Sequence, residues 1–141
     1  MEKYETILEV TPYLFVYGTL KKGHWNNRLL STSEYVGQRV TADKYCLGDV
    51  GFPYAFPSYV FEGYEFEEEF LPVLGDLFKV TEPTVMFSVD CLEGEGRHYH
   101  RRLIETTEGE TAWMYHQLDP MSINHCYLCS VTPEGEYEWT R

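Results

Sequence analysis

Glu93 is the residue of this 141-residue chain whose setting most invites chemistry. The segment Glu82-Pro-Thr-Val-Met-Phe-Ser-Val-Asp-Cys-Leu-Glu93 reads as a short helix. Pro83 suits a first turn, Val85, Val89 and Leu92 recur at helical spacing, and Gly94 is a natural stop. At 100° per residue Glu93 falls angularly between Val89 and Met86, on the apolar side. Desolvation and the negative potential of the helix carboxyl end both raise a carboxyl pKa, toward the range in which one group can accept and return a proton. The bland alternative is a helix that ends a turn earlier and leaves Glu93 in water beside Gly94. Asp90, three positions back, either neighbours Glu93 on one surface or bonds to a Tyr, an Arg or backbone amides. The supporting role is preferred, because a second free carboxylate would interfere with proton transfer.

Gly18-Thr-Leu-Lys-Lys-Gly23 is the other feature with chemical promise. Glycine at both ends allows a tight turn and leaves backbone N–H groups free of side-chain cover, able to hold a carboxylate as readily as a phosphate. If the backbone at Gly18 approaches a ligand closely, an alanine methyl there would obstruct binding. His24 and Trp25 stand where a Walker loop needs Lys and Ser or Thr, and GxGxxG is absent. Cys126-Tyr-Leu-Cys129 has the spacing of a zinc knuckle or redox pair, but no second CxxC completes a ligand set. Free thiols, no metal and no cofactor are expected.

These groups need elements to position them. Tyr13-Leu-Phe-Val-Tyr17 is a brief apolar run suited to a central strand. Residues 24–30 have room for two helical turns with Trp25, Leu29 and Leu30 facing inward. Residues 34–60 hold short strand pieces, including Lys44-Tyr-Cys-Leu47, in a meander or an irregular covering loop. Val73 to Val80 has no cleanly polar parity, as in a strand covered on both sides or lining a closed barrel. Residues 99–106 and 111–117 should pair across a turn at Gly109, and the tail offers a short strand at 126–129 and a turn at 133–135.

Length and composition set the outer limits. The length suits one domain, and 43% hydrophobic with 16% aromatic residues is far from disorder and tilts toward sheet. A formal net charge of −12 repels polyanions and argues against nucleic acid. The acidic stretch at 61–70 reads as a solvated loop, with attraction of a cationic amine as the functional alternative. No apolar run reaches bilayer length and the start lacks a secretion pattern, so the expected compartment is the cytoplasm, without membrane contact. Oligomeric state is unconstrained.

Taken in order, Tyr13-Leu-Phe-Val-Tyr-Gly-Thr-Leu-Lys-Lys-Gly23, Val73 to Val80, Val89-Asp-Cys-Leu-Glu-Gly94, Tyr99-His-Arg101 and Ala112 to Tyr115 resemble the γ-glutamylcyclotransferase-like family, which includes AIG2-like proteins and γ-glutamylamine cyclotransferases. The resemblance runs from about residue 13 to 117. It implies an α+β fold, a small mixed barrel-like sheet with short flanking helices, and cofactor-free release of 5-oxoproline from a small-molecule γ-glutamyl substrate. It makes Glu93 the catalytic acid and base. It places Tyr17, Gly18, Thr19 and Leu20 at the substrate, with Tyr99 and Tyr115 as pocket aromatics and Arg101 either pairing structurally or binding substrate. Two alternatives remain, an enzyme of this scaffold acting on another amine or amide, and a non-catalytic module that binds through its acidic or aromatic surface.

Overall fold

The computed structural model describes residues 1–140. In chain order the elements are α1 (Glu2–Val10), β1 (Tyr13–Val16), a 3-10 turn (Asn27–Leu30), β2 (Glu34–Val40), β3 (Tyr45–Asp49), β4 (Pro53–Pro57), β5 (Leu74–Lys79), α2 (Pro83–Glu93), β6 (His100–Glu105), β7 (Thr111–His116) and the two-residue strands β8 (Tyr127–Leu128), β9 (Ser130–Val131) and β10 (Tyr137–Glu138). The main sheet has the order β2-β5-β1-β7-β6. β1 is central, antiparallel to β5 and parallel to β7.

Strand alternation divides the core into two layers. Leu14 and Val16 face Ile7 of α1 and Met86 and Val89 of α2, whereas Phe15 packs with Leu47, Ala55 and Met114 on the other face. Phe78 of β5 joins the first layer and Leu77 the second, so β5 is covered on both sides and shows no polar parity.

The edges β2 and β6 come together at one end. Thr41 bridges to Thr106, the Ala42 N–H donates to the Glu105 carbonyl at 2.9 Å, and Arg39 pairs with Glu110 at 3.0 Å. That closure curls the sheet toward a barrel and protects edges that would otherwise expose unpaired backbone. A second sheet, β4-β3-β8, covers the barrel, and β9 pairs with β10. At the far end of the chain Tyr137 and Trp139 are buried in the second layer.

Three features differ from the sequence expectations. Within residues 24–30 only Asn27–Leu30 are helical, as a 3-10 turn, with Trp25 59% exposed and only Leu30 fully buried. The side chains of Asn26 and Asn27 bond back to the Thr19 hydroxyl and the Leu20 carbonyl, each at 2.9 Å, holding the segment against the preceding loop where an α-helix would need to turn away. Leu92 is 43% exposed and does not join the core. α1 was not anticipated, although Tyr4, Ile7 and Leu8 have helical spacing and pack in the first layer. Its end is tied down by the Trp113 indole, which donates to the carbonyls of Ile7 and Thr11.

The acidic stretch is a loop whose glutamates face water. It is pinned by its rings, with Phe61 and Phe66 stacked at 3.9 Å and Phe70 beside them. Among the described residues, no helix is long and apolar enough to cross a membrane.

Candidate active site

A cavity of about 240 Å³ opens between the end of α2, the 18–23 loop, the start of β4 and the turn before β6. Glu93 lines it from the helix. Tyr17, Gly18, Thr19 and Leu20 line the opposite wall, and Tyr99 and Tyr115 close it between them. Residues up to 98 positions apart in sequence thus share one space.

Glu93 owes its position to Gly94. The glycine adopts φ 62° and ψ 48°, the Glu95 N–H reaches the Asp90 carbonyl at 3.0 Å, and the Gly94 N–H reaches Cys91. This left-handed cap ends the helix one residue after the carboxylate, and a side chain at 94 would be strained. Val89 and Met86 are fully buried and Glu93 is half-buried, as the helical wheel requires. Burial pushes the Glu93 carboxyl up to about 7, with the Asp90 charge adding to the effect.

Asp90 plays the supporting role. It is 6% exposed and takes hydrogen bonds from Arg101 Nη1 at 2.8 and 2.7 Å and from the Tyr115 hydroxyl. Arg101 is therefore engaged structurally, and its guanidinium also lies over the Trp113 ring at 5.2 Å. Tyr17 donates to the Tyr115 carbonyl at 2.6 Å and Tyr99 to the Pro53 carbonyl at 2.7 Å. Burial raises all three phenols well above their ordinary range, so they stay neutral and their protons serve the frame.

The loop is held from both sides. The Gly18 carbonyl accepts from the Lys21 N–H and the Thr19 carbonyl from the Asn26 N–H, each at 3.0 Å. Asp76 takes the Lys22 N–H at 2.9 Å, and the Lys21 ammonium donates to the Trp139 carbonyl at 2.6 Å. Gly18 is required for a reason that the sequence did not show, since a methyl group there would sit 2.7 and 2.8 Å from Pro53 ring atoms. Gly18→Ala should displace Pro53 and, through its carbonyl, Tyr99. We expect a destabilisation of about 1–3 kcal/mol, the usual range for overpacking, measured by denaturant titration. A variant as stable as the parent would show that Pro53 yields freely.

Trp25, Asn26, Phe52, Pro53 and His98 also line the cavity and were not selected from the sequence as site residues. Phe52 follows Gly51 in a turn and His98 lies in the turn before β6, where no periodicity marks a buried or a functional face. Cys126 and Cys129 carry thiols that burial pushes up to about 11 and 12, the reverse of what a redox thiolate needs. Among the described residues no group of three His, Cys, Asp or Glu side chains could hold a metal ion.

A neutral, aromatic-walled cavity with one carboxyl near neutrality facing a turn of backbone suits acid–base chemistry on a small molecule. The chain belongs to the family described as gamma-glutamyl cyclotransferase, AIG2-like, whose sequence profile matches residues 14–139. It is 39% identical over 102 residues to a provisionally named gamma-glutamylcyclotransferase of Vibrio cholerae, covering 72% of this chain and 78% of the relative. To one of Methanocaldococcus jannaschii it is 31% identical over 108 residues, covering 73% and 82%. The crystal structure of a mouse AIG2-like protein superposes with a TM-score of 0.61 at 21% identity, over 92% of this chain and 96% of that one, and supports the α+β fold.

Proposed function

We propose that the protein releases 5-oxoproline from a γ-glutamyl amine or γ-glutamyl amino acid, with Glu93 as general base and then general acid. The observation that carries this reading is the place of the Glu93 carboxyl, half-buried at the end of α2 and lining the cavity with Tyr17, Gly18 and Tyr99, where burial raises its pKa. The α-amine nitrogen attacks the γ-carbonyl carbon, forming the ring C–N bond, and the bond to the leaving nitrogen breaks. Glu93 takes the proton that the attacking amine sheds and delivers it to the departing amine. Atoms balance without water, oxidant or reductant. Both reacting groups belong to one molecule, so the protein's task is orientation and proton transfer.

Backbone N–H groups at 18–20 hold the substrate's α-carboxylate or the developing oxyanion. Tyr17, Tyr99 and Tyr115 shape the space between loop and helix, and the fixed pairing of Asp90 with Arg101 keeps a second carboxylate out of the reaction.

The test is 5-oxoproline release from a panel of γ-glutamyl amines and dipeptides. Turnover that depends on Glu93 without 5-oxoproline would assign the scaffold to another amine or amide substrate, and no turnover at all would leave a binding module. The pH profile is a separate check. Glu93 must be ionised to accept a proton, so kcat/KM, which reports the free enzyme, should fall tenfold per pH unit below about 7. An acid limb near 4.5 would remove Glu93 from that role.

A further inference from the structure

We propose that the cavity selects γ-glutamyl compounds whose leaving amine carries a neutral apolar or aromatic group, gripped between Trp25 and Phe52 at the mouth. This rests on the cyclotransferase reading for the identity of the γ-glutamyl end. The mouth is lined by Trp25 at 59% exposure, Phe52 at 39% and Leu92 at 43%. Isolated exposed apolar residues are ordinary, but three large ones around one concave opening mark a place where apolar surface is meant to be covered.

Both walls are buttressed. Phe52 meets Tyr54 at 5.7 Å and His98 at 6.3 Å in edge-to-face contacts, and the Tyr54 hydroxyl and His98 Nε2 are hydrogen-bonded at 2.8 Å. Tyr54 in turn packs edge-on to the buried Tyr99 at 5.7 Å. On the other side Trp25 lies against the buried Trp139 at 6.1 Å. Rings held this way lose little freedom when a ligand settles between them.

Charge disfavours the other classes of leaving group. Among the described residues that line the cavity there is no Lys or Arg, and Glu93 is its one carboxylate. The backbone at 18–20 serves the γ-glutamyl end, and His98 Nε2 is already bonded to the Tyr54 hydroxyl, so a leaving amino acid would bring a second carboxylate that no Lys or Arg of the lining can pair. A leaving group with a second ammonium also lacks a counter-ion, since Glu93 is occupied by the α-amine and the glutamates of the acidic loop do not line the cavity. The net charge of −12 attracts cations at a distance, but salt screens that field within about 8 Å, and the choice among leaving groups is made in contact.

Four probes separate the cases: γ-glutamylbenzylamide, the small neutral γ-glutamylmethylamide, the anionic γ-glutamylglycine and the cationic γ-glutamyl-(4-aminobutyl)amide. The benzylamide should exceed each of the others in kcat/KM by about tenfold or more, the order expected for covering one ring. The benzyl-to-methyl ratio should fall toward one in Trp25→Ala/Phe52→Ala, whose altered side chains are exposed and whose fold circular dichroism can check. A preference for the glycine or aminobutyl probe, or a ratio unchanged by the double substitution, overturns the proposal. Dissociation constants for the same probes, measured by calorimetry on Glu93→Gln, decide it independently of turnover. If none of the four yields 5-oxoproline, the cyclotransferase reading fails. In that case tightest binding of the benzylamide, lost in the Trp25→Ala/Phe52→Ala background, still upholds the apolar grip, and a flat ranking sinks it.

Discussion

Replacing Glu93 by glutamine is expected to lower kcat by roughly 10²- to 10⁴-fold and to stabilise the fold above pH 7. The amide has nearly the shape of the acid, so the core around the buried Val89 and Met86 need not collapse, and ground-state binding should largely survive. What is lost is the shuttle that collects a proton from the attacking amine and returns it to the leaving one, so the deficit falls on the chemical step rather than on KM. A glutamine variant with near-parental kcat on a confirmed substrate would remove Glu93 from proton transfer.

The stability change follows from linkage. The folded-state pKa is about 7 against an ordinary 4.5. Between those values the folded protein holds a proton that the unfolded chain has released, so stability contributed by the neutral acid is fully present below pH 4.5 and lost as pH rises through 7. Above pH 7 the parent carries the whole cost, on the order of 3–4 kcal/mol at about 1.4 kcal/mol per pKa unit, and the amide avoids it. Denaturant titrations at pH 4.5 and pH 8 should therefore show the variant gaining on the parent only at the higher pH. Equal stabilities at pH 8 would mean that the carboxylate is better solvated than its place implies.

Arg101→Met should be the most damaging single change to stability, at about 3–5 kcal/mol, the usual penalty for leaving a buried charge without its partner. The side chains of Arg101 and Asp90 are 10% and 6% exposed, and neutral tyrosine hydroxyls cannot offset the carboxylate's desolvation as the guanidinium does. Adding Asp90→Asn should recover much of the loss, because removing both charges is far less costly than removing one. A purely structural pair would leave the pH profile alone. Here Asp90 raises the pKa of Glu93, so the acid limb should move up in Arg101→Met and down in Asp90→Asn. Limbs that stay in place would uncouple the pair from Glu93.

Short-range pattern alone determined much of this protein. The run at 13–17 suited a core strand better than a helix, Pro83 and Gly94 bounded a helix, and the 3.6-residue period placed Glu93 on the side of Val89 and Met86. Each of these depends on residues within a turn or two of one another, where backbone geometry is decided by local sterics and capping. The supporting role of Asp90 was also legible, because two free carboxylates one turn apart repel.

Tertiary structure decided the rest. Trp25 faces a cavity instead of the core because two asparagines bond the segment back to the loop. Gly18 has no room for a methyl group because it lies against Pro53, 35 positions away. Trp139 holds Lys21 across 118 positions, and Phe52 and His98 complete the mouth from turns without any periodicity. Whether an apolar ring is core or binding surface depends on what covers it. That cover comes from segments distant in the chain, brought together only when the sheet closes.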